Sequence, residues 1–425
     1  MSASSGPLTP IARSAGASDR TPLPAAVRPP RILILVENLP VPFDRRVWME
    51  ATTLAEAGYE VSVICPQGPY PLRRETLEGV HIYRYPLPSL PGIGGHLIEY
   101  AIAFPATLAL TWLVHRRSGF DVIQSANPPD LFFLIARPFK RFGVKFVFDH
   151  HDLVPEICES RWSGWRRAAA RAVSLWLERA TFRSADRVIA TNESYRQIAL
   201  GRGAVAPERV CVVRSAPRLS RFRAVAPRGE WKHGRTFLVA YLGVMGPNDG
   251  ISHLLASIAH IVHTLRRDDI QFVLIGAGDL QPRLVAEARN LRLDPFVRFT
   301  GYIPDDDVLA ILSTADVCVA PDPKDELNDL SSMNKVVEYM ALAKPLVAYD
   351  LREARESAAE AAVYARPNDP VDFAAKIVEL LASPERRRAM GEAGRARVEN
   401  ALAWEHQGAA LLAMYRDLVG AARRD

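Results

Sequence analysis

Residues 31–66 read RILILVENLPVPFDRRVWMEATTLAEAGYEVSVICP. The apolar run RILILV is a buried strand by length and composition, the polar turn after it opens a helical pattern over about 44–58, and EVSVIC is a second strand. The alternation continues outward through VHIYRY, DVIQS, VKFVFD, DRVIAT and RVCVV, with helical stretches at about 130–142, 160–183 and 193–201. Short apolar strands separated by helices predict a parallel sheet covered on both faces, so the fold class is α/β. After the Pro, Arg and Gly-rich stretch APRLSRFRAVAPRGEWKHGR a second series begins: TFLVAYLG, QFVLIG, FVRFTG, DVCVAP, PLVAYD and AAVYAR. Two Rossmann-like, doubly wound domains are therefore expected, over 31–216 and 236–400, joined by a linker at 217–235. Residues 401–425 are expected to form a helix packing back towards the first domain, and residues 1–30 a disordered arm. Ligands bind at the carboxyl ends of parallel strands, which puts function in a central cleft between the domains.

The 425 residues are 48% hydrophobic and 24% charged, enough apolar material for two cores and too little charge for a disordered chain. The net charge of +5 is thinly spread, which suits an anionic ligand or membrane surface and argues against a nucleic-acid binder. Cys65, Cys158, Cys211 and Cys318 are far apart and show no metal-ligand spacing. A reducing cytoplasm fits them.

The segment SSMNKVVEYMALAKPLVAYD, residues 331–350, is the strongest chemical signal. A polar SSMNK at a helix N-terminus offers free amides and a positive dipole to an anion, and Lys335 adds a full charge. Glu338 follows Lys335 by three residues and Asn334 by four, so all three are expected near one helix face. A diphosphate beside a carboxylate that can bind ribose hydroxyls is the natural ligand.

This segment resembles the donor-site motif of glycosyltransferase family 4, enzymes of the GT-B fold, in which a helix ending in Glu-x-Met-Ala precedes a strand. DRRVWMEATTLAEAGYEVSVICP, DVIQSANPPD, VFDHHDL, RSADRVIATNES, YLGVMGPNDGISHLL, FVLIGAGDL, FTGYIP and STADVCVAP agree in order, from about residue 31 to 419. The resemblance implies a retaining transfer of a sugar from a nucleotide-diphosphate donor, held by the C-terminal domain, to an acceptor held by the N-terminal domain. It assigns Glu338 to the ribose and His151, at a strand end, to the donor sugar. Ser332, Asn334, Gly246, Gly276, Gly278, Tyr302 and Arg214 complete the expected donor site. The sequence departs from the family pattern at Leu330, where a sugar-contacting glutamate is expected, and at Val244 and Asp249, where many members carry Arg and Lys. Asn328, Asp329 and Ser332 are the candidates to replace the glutamate. Lys335, the helix N-terminus and Arg214 are the candidates to replace the missing charge.

Asp149–Asp152, DHHD, invites a metal reading, but successive side chains of an extended segment point to opposite faces, and no metal or other cofactor is expected. Asp305–Asp307 read as the acidic start of a helix. GAGD, residues 276–279, is expected to let the donor approach the backbone. Arg45 and Arg46 stand where many relatives have a glycine-rich turn and are candidates for an acceptor or donor phosphate, or equally for a plain surface salt bridge. The apolar stretch 92–114 suits a helix that is packed in the fold or lies on a membrane rather than one that crosses it, and the Trp and Arg-rich stretch 161–183, with Trp162, Trp165 and Trp176, suits either an interfacial helix or core packing of the tryptophans. The expectation is thus a hexosyltransferase-like enzyme. It would use a UDP- or GDP-sugar and a glycan or polyprenyl-diphosphate-linked acceptor in surface polysaccharide synthesis, in the cytoplasm or at the inner face of the membrane. A sugar-nucleotide epimerase and a catalytically silent sugar-nucleotide scaffold are the alternatives.

Overall fold

The computed structural model describes residues 28–88, 92–161 and 164–422. Residues 1–27 of the expected arm and Trp162 lie outside them. Residues 28–30 belong to the folded structure: Arg28 pairs with Asp121 at 2.7 Å and the Pro30 carbonyl accepts from the Glu60 amide.

Eight strands form the first sheet: β1 (Arg31–Leu35), β2 (Glu60–Pro66), β3 (Arg74–Leu77), β4 (Val80–Tyr85), β5 (Val122–Ala126), β6 (Lys145–His150), β7 (Arg187–Ala190) and β8 (Val210–Val212). Their order is β3-β4-β2-β1-β5-β6-β7-β8, parallel except for β3, which runs against β4. Six strands form the second: β9 (Phe237–Leu242), β10 (Ile270–Ile275), β11 (Val297–Gly301), β12 (Val317–Ala320), β13 (Leu346–Tyr349) and β14 (Ala362–Ala365). Their order is β11-β10-β9-β12-β13-β14 and every pairing is parallel. In each sheet the order reverses beside the first strand, so crevices open past the ends of β1 and β5 and of β9 and β12. Strand β3, sequence RETL, was not expected; it is short, largely exposed and carries no apolar alternation.

Six helices of the first domain are needed below: α1 (Arg45–Glu56), α2 (Gly92–Arg117), α3 (Phe133–Lys140), α4 (Val154–Arg161), α5 (Gly164–Ser184) and α6 (Glu193–Gly201). The single helix expected over 160–183 is thus two, α4 and α5. Alternation along β1 sends Ile32, Ile34 and Val36 to the face covered by α1, and Leu33 and Leu35 to the face covered by α2, α3 and α5. Helix α2 holds a 20-residue stretch, Ile98–Arg117, long and apolar enough to cross a membrane. It lies on the sheet, with Ala103, Thr107, Thr111 and Val114 buried and Ile98, Ile102 and Trp112 exposed.

The chain passes between the domains twice. The outward passage is the segment after β8, and the return is at Trp404, whose amide donates to the Pro217 carbonyl. From there the helix Trp404–Ala422 packs on the first domain. Trp404 Nε1 donates to Thr53 at 2.9 Å, the Tyr415 ring meets Tyr59 edge-on, and the Tyr415 hydroxyl donates to Gln124 inside the core.

Candidate donor site in the interdomain cleft

The N-terminal wall is built on a buried ion cluster. Asp44 caps α1 by accepting from the Val47 amide, which sets Arg45 and Arg46 at the helix start on opposite sides. Arg46 turns inward. Its guanidinium grips Asp149 in a two-point contact at 3.0 and 2.7 Å, reaches Glu50 at 3.1 Å, and donates to the Val213 carbonyl and the Ser215 hydroxyl. The expectation that Arg46 holds a phosphate is therefore corrected: its donors are spent on protein acceptors in a water-excluded site. Burial pushes Glu50 up to about 8, with the nearby Asp149 charge adding to it. For Asp149 the burial penalty is outweighed by Arg46 and then His151, and its carboxyl sits well below the usual range.

His151 Nδ1 stands 3.2 Å from Asp149. Burial disfavours the imidazolium, but the Asp149 carboxylate outweighs that and raises the pKa to about 9, so the ring carries charge at neutral pH. The Asn127 carbonyl oxygen accepts from the amides of His151 and Asp152 at 2.9 and 3.0 Å, and its amide nitrogen donates to Asp130 and to the Asp152 carbonyl. Asn127 thereby fixes the strand-end turn that carries His151. It was not among the expected site residues; the signal available was an Asn-Pro-Pro following a strand. His150 faces the other way, buried 3.4 Å from Glu178, so the DHHD side chains do not converge on one point.

The C-terminal wall is the helix Asn334–Ala341, whose N-terminus no side chain caps. Asn334 is exposed there, and Glu338, one turn on, keeps 15% of its side chain open. Burial raises the Glu338 pKa, against the attraction of Arg45 and Lys335. Lys335 does not share their face. Its ammonium lies in the core, 2.6 Å from Asp322 and 3.8 Å from Asp249, above the Tyr241 ring. Burial works against that charge, and the two carboxylates outweigh it, Asp322 first. The expected free diphosphate charge at Lys335 is thus corrected: two anions already face it.

Asp249 has a structural task as well. It accepts from the Gly246 amide at 3.1 Å and so closes the loop after β9, where the family pattern has a cation. Gly276 and Gly278 are needed for a different reason from the one expected. A Cβ on Gly276, which has φ +124°, would lie 2.0 Å from the Gly243 carbonyl oxygen, and one on Gly278 would lie 2.6 Å from that of Met245. The backbone that approaches these glycines belongs to the neighbouring loop.

Across the cleft, Arg45 is the exposed partner of α1's first turn and points at the C-terminal wall, 3.3 Å from Asp305 and 3.6 Å from Glu338. Phe43 and Tyr302, both exposed, face each other at 6.3 Å between ring centroids. Deeper, the two domains are joined by hydrogen bonds. Asn192, capping α6, donates to the Leu330 carbonyl and to Ser332; Ser332 donates to Glu353; Ser194 donates to Glu353 at 2.6 Å; Tyr195 meets Ser331. Arg214 reaches Ser332 at 3.3 Å and Glu353 at 3.7 Å. A hydroxyl has one proton and two lone pairs, so Ser332 is saturated and is corrected from donor ligand to interdomain joint. Leu330 packs on Leu153, Ala190 and Tyr195, which is an apolar surface where a sugar-binding carboxylate would be misplaced. Nor do its neighbours replace it: Asn328 is buried and bonded to the Asn248 and Pro323 carbonyls, and Asp329 accepts from the Arg352 amide.

The cleft thus brings together Arg45, His151, Glu338, Asn334 and Tyr302, and leaves Arg46, Lys335, Ser332 and the glycines as supports. Comparison with known proteins identifies the family. Residues 44–216 match the family described as glycosyl transferase 4-like domain, and residues 236–383 match glycosyl transferases group 1. The MMP alpha-(1->4)-mannosyltransferase of Mycolicibacterium hassiacum is 26% identical over 86% of this chain and 92% of its own. Among solved structures, sucrose-phosphate synthase from Thermosynechococcus elongatus superposes with a TM-score of 0.75 at 20% identity, covering 92% of this chain and all of that one. Anabaena HepE, solved in complex with UDP and glucose, gives 0.67 at 15% identity over 93% of this chain and all of its own. Two parallel-sheet domains, the cleft between them and these matches together make the chain a member of the GT-B glycosyltransferases of family 4, an enzyme that transfers sugars.

Proposed function

We propose that the protein moves a sugar, with retention, from a UDP- or GDP-sugar to a glycan or polyprenyl-diphosphate-linked acceptor, without a metal, in surface polysaccharide synthesis. The observation that carries the reading is the half-buried Glu338 carboxylate on the cleft wall, one turn from an uncapped helix N-terminus and opposite Arg45. Glu338 accepts from the two ribose hydroxyls. The helix amides, the Arg45 guanidinium and the charged His151 ring supply the positive potential that a departing diphosphate needs. Arg45 exchanges Asp305 and Glu338 for the phosphates when the donor enters. The leaving phosphate oxygen, next to the acceptor hydroxyl, takes its proton as the new bond forms on the same face, so no side-chain nucleophile is required.

A lipid-linked acceptor is favoured by the exposed apolar and basic side chains of α2 and α5. Trp165 and Trp176 are 77% and 64% exposed, with Val173, Ile98 and Trp112 also open and Arg166, Arg167, Arg171, Arg179 and Arg183 among them. Exposed aromatic and basic residues along α5 suit peripheral binding to an anionic inner leaflet, with Arg167 and Arg171 also paired to Glu159. The experiment for the donor site is a thermal-shift panel of UDP, GDP, ADP and their sugars on wild type and Glu338→Ala. A shift with one nucleotide that is lost in the variant supports the reading. No shift with any nucleotide would overturn it.

A further inference from the structure

The cleft uses the carboxyl edges of the two sheets. A cavity of about 130 Å³ lies at the opposite, amino edge of the first sheet, between the strands and the last turn of α2. Alternation along three strands builds its floor. Leu33 faces α2, so Arg31 does as well; Ile64 faces α2, and with it Glu60 and Ser62; His81 and Tyr83 follow Tyr85. In register Arg31 stands beside Glu60, and Ser62 beside His81. Arg117, on the last turn of α2, completes the lining.

Arg31 is held in place. Its Nε donates to Glu60 at 2.5 Å and its Nη1 to the Ser118 carbonyl, which leaves Nη2 without a partner among the described residues. His81 meets Thr76 through Nδ1 at 3.0 Å and keeps Nε2. Among the described residues no hydrogen bond or ion pair reaches the half-buried Ser62 and Tyr83 hydroxyls or the exposed Arg117 guanidinium. Arg74 of β3, which no carboxylate pairs among the described residues, lies over the Tyr83 ring at 5.8 Å. Glu60 is the one acid in the lining, and Arg31 already engages it, so the charge of Arg117 is uncancelled. Donors therefore outnumber acceptors, and the occupant they suit is an anion. At about 30 Å³ per water the cavity has room for about four waters, the size of a phosphate group with its ester oxygen. The strands offer donors from one side and α2 from the other, which suits a tetrahedral set of acceptors better than a flat carboxylate, and arginine forks match phosphate oxygens.

We infer that this amino-edge cavity binds a phosphomonoester group, at a site separate from the cleft and from the donor. The phosphate belongs either to a free molecule or to a lipid headgroup, since α2 exposes Trp112 one and a half turns before Arg117. The test uses the full chain at fixed ionic strength, as wild type, Arg117→Gln and Glu338→Ala. Glycerol 3-phosphate, with glycerol as its neutral control, is read by thermal shift. Phosphatidylcholine vesicles carrying phosphatidic acid are compared by co-sedimentation with vesicles carrying phosphatidylglycerol at equal surface charge. Stabilisation by glycerol 3-phosphate but not glycerol, with affinity about tenfold or more weaker in Arg117→Gln and unchanged in Glu338→Ala, supports the site and assigns a free ligand. A preference for phosphatidic acid that Arg117→Gln removes supports the site and assigns a headgroup. Response to neither probe, or equal responses in wild type and Arg117→Gln, overturns the inference. A response lost in Glu338→Ala and kept in Arg117→Gln also overturns it, because the phosphate then sits in the cleft.

Discussion

Replacing Arg46 by methionine separates a structural from a ligand-binding arginine. The guanidinium is 8% exposed, balances Asp149 and touches Glu50, both fully buried. Removing one partner of a buried ion pair costs about 3–5 kcal/mol, because the partner charge is left without solvent or counterion. At about 2–4 °C per kcal/mol for a domain of this size, the melting temperature should fall by roughly 6–20 °C. Glu50, pushed up to about 8, is mostly protonated at pH 7, so the stranded charge is that of Asp149. Asp149→Asn in the Arg46→Met background should therefore recover about 1 kcal/mol or more, a coupling that a double-mutant cycle measures. The assay is thermal unfolding of the four proteins at pH 7, with and without nucleotide. If Arg46→Met stayed within about 1 kcal/mol of wild type and lost nucleotide affinity tenfold, Arg46 would be a phosphate ligand and the reasoning here would be wrong.

The remaining predictions concern other parts of the molecule. His151, at about 9 against an ordinary 6.5, contributes stability that is whole below the ordinary value and fades as pH rises through 9. The melting difference between wild type and His151→Gln should accordingly be largest near pH 6 and shrink by pH 10. Gly276→Ala forces a Cβ into the Gly243 carbonyl at positive φ and should cost about 3 kcal/mol or more, read by denaturant unfolding. Asn192→Ala leaves the Leu330 carbonyl without its donor and should cost about 1–3 kcal/mol. Small-angle scattering of that variant should show a wider interdomain distribution. Trp165→Ser with Trp176→Ser should abolish binding to vesicles of anionic lipid at low salt while leaving the nucleotide thermal shift intact.

Most of the fold was legible because it is written in contiguous apolar runs. RILIL, FLVAYL and IQFVLI can be little other than buried parallel strands, and the helices between them carry their own caps, as Asp44 and Asn192 do. RETL carried no such pattern, and its strand exists only because β4 offers it an edge. In the site, Glu338 and Arg45 were legible as charged residues within the first turns of helices. The state of Lys335 and Arg46 was not, because charge is cancelled by partners that only the fold supplies. Asp322 precedes Lys335 by 13 positions, and Asp149 follows Arg46 by 103. Sequence proximity shows which groups can meet along one helix; it does not show which carboxylate the topology delivers to a buried cation. The glycines were read from motif and placed correctly in loops, while the reason for them, backbone against backbone, required both loops at once.

The helix Trp404–Ala422 has a consequence for how the protein is made. Its Tyr415 reaches Gln124, Gln124 donates to Glu50, and Glu50 stands against Arg46, so the buried polar chain beneath His151 includes a residue translated after the entire second domain. On the ribosome the first domain must wait, with Val47, Ala51, Val61 and Val63 lacking part of the cover that this helix supplies, until about two hundred further residues have emerged. Maturation of the first domain is thereby tied to completion of the second, and a message cut short within the second domain yields a nascent chain with an open core, suited to chaperones and proteases, instead of a folded half-molecule.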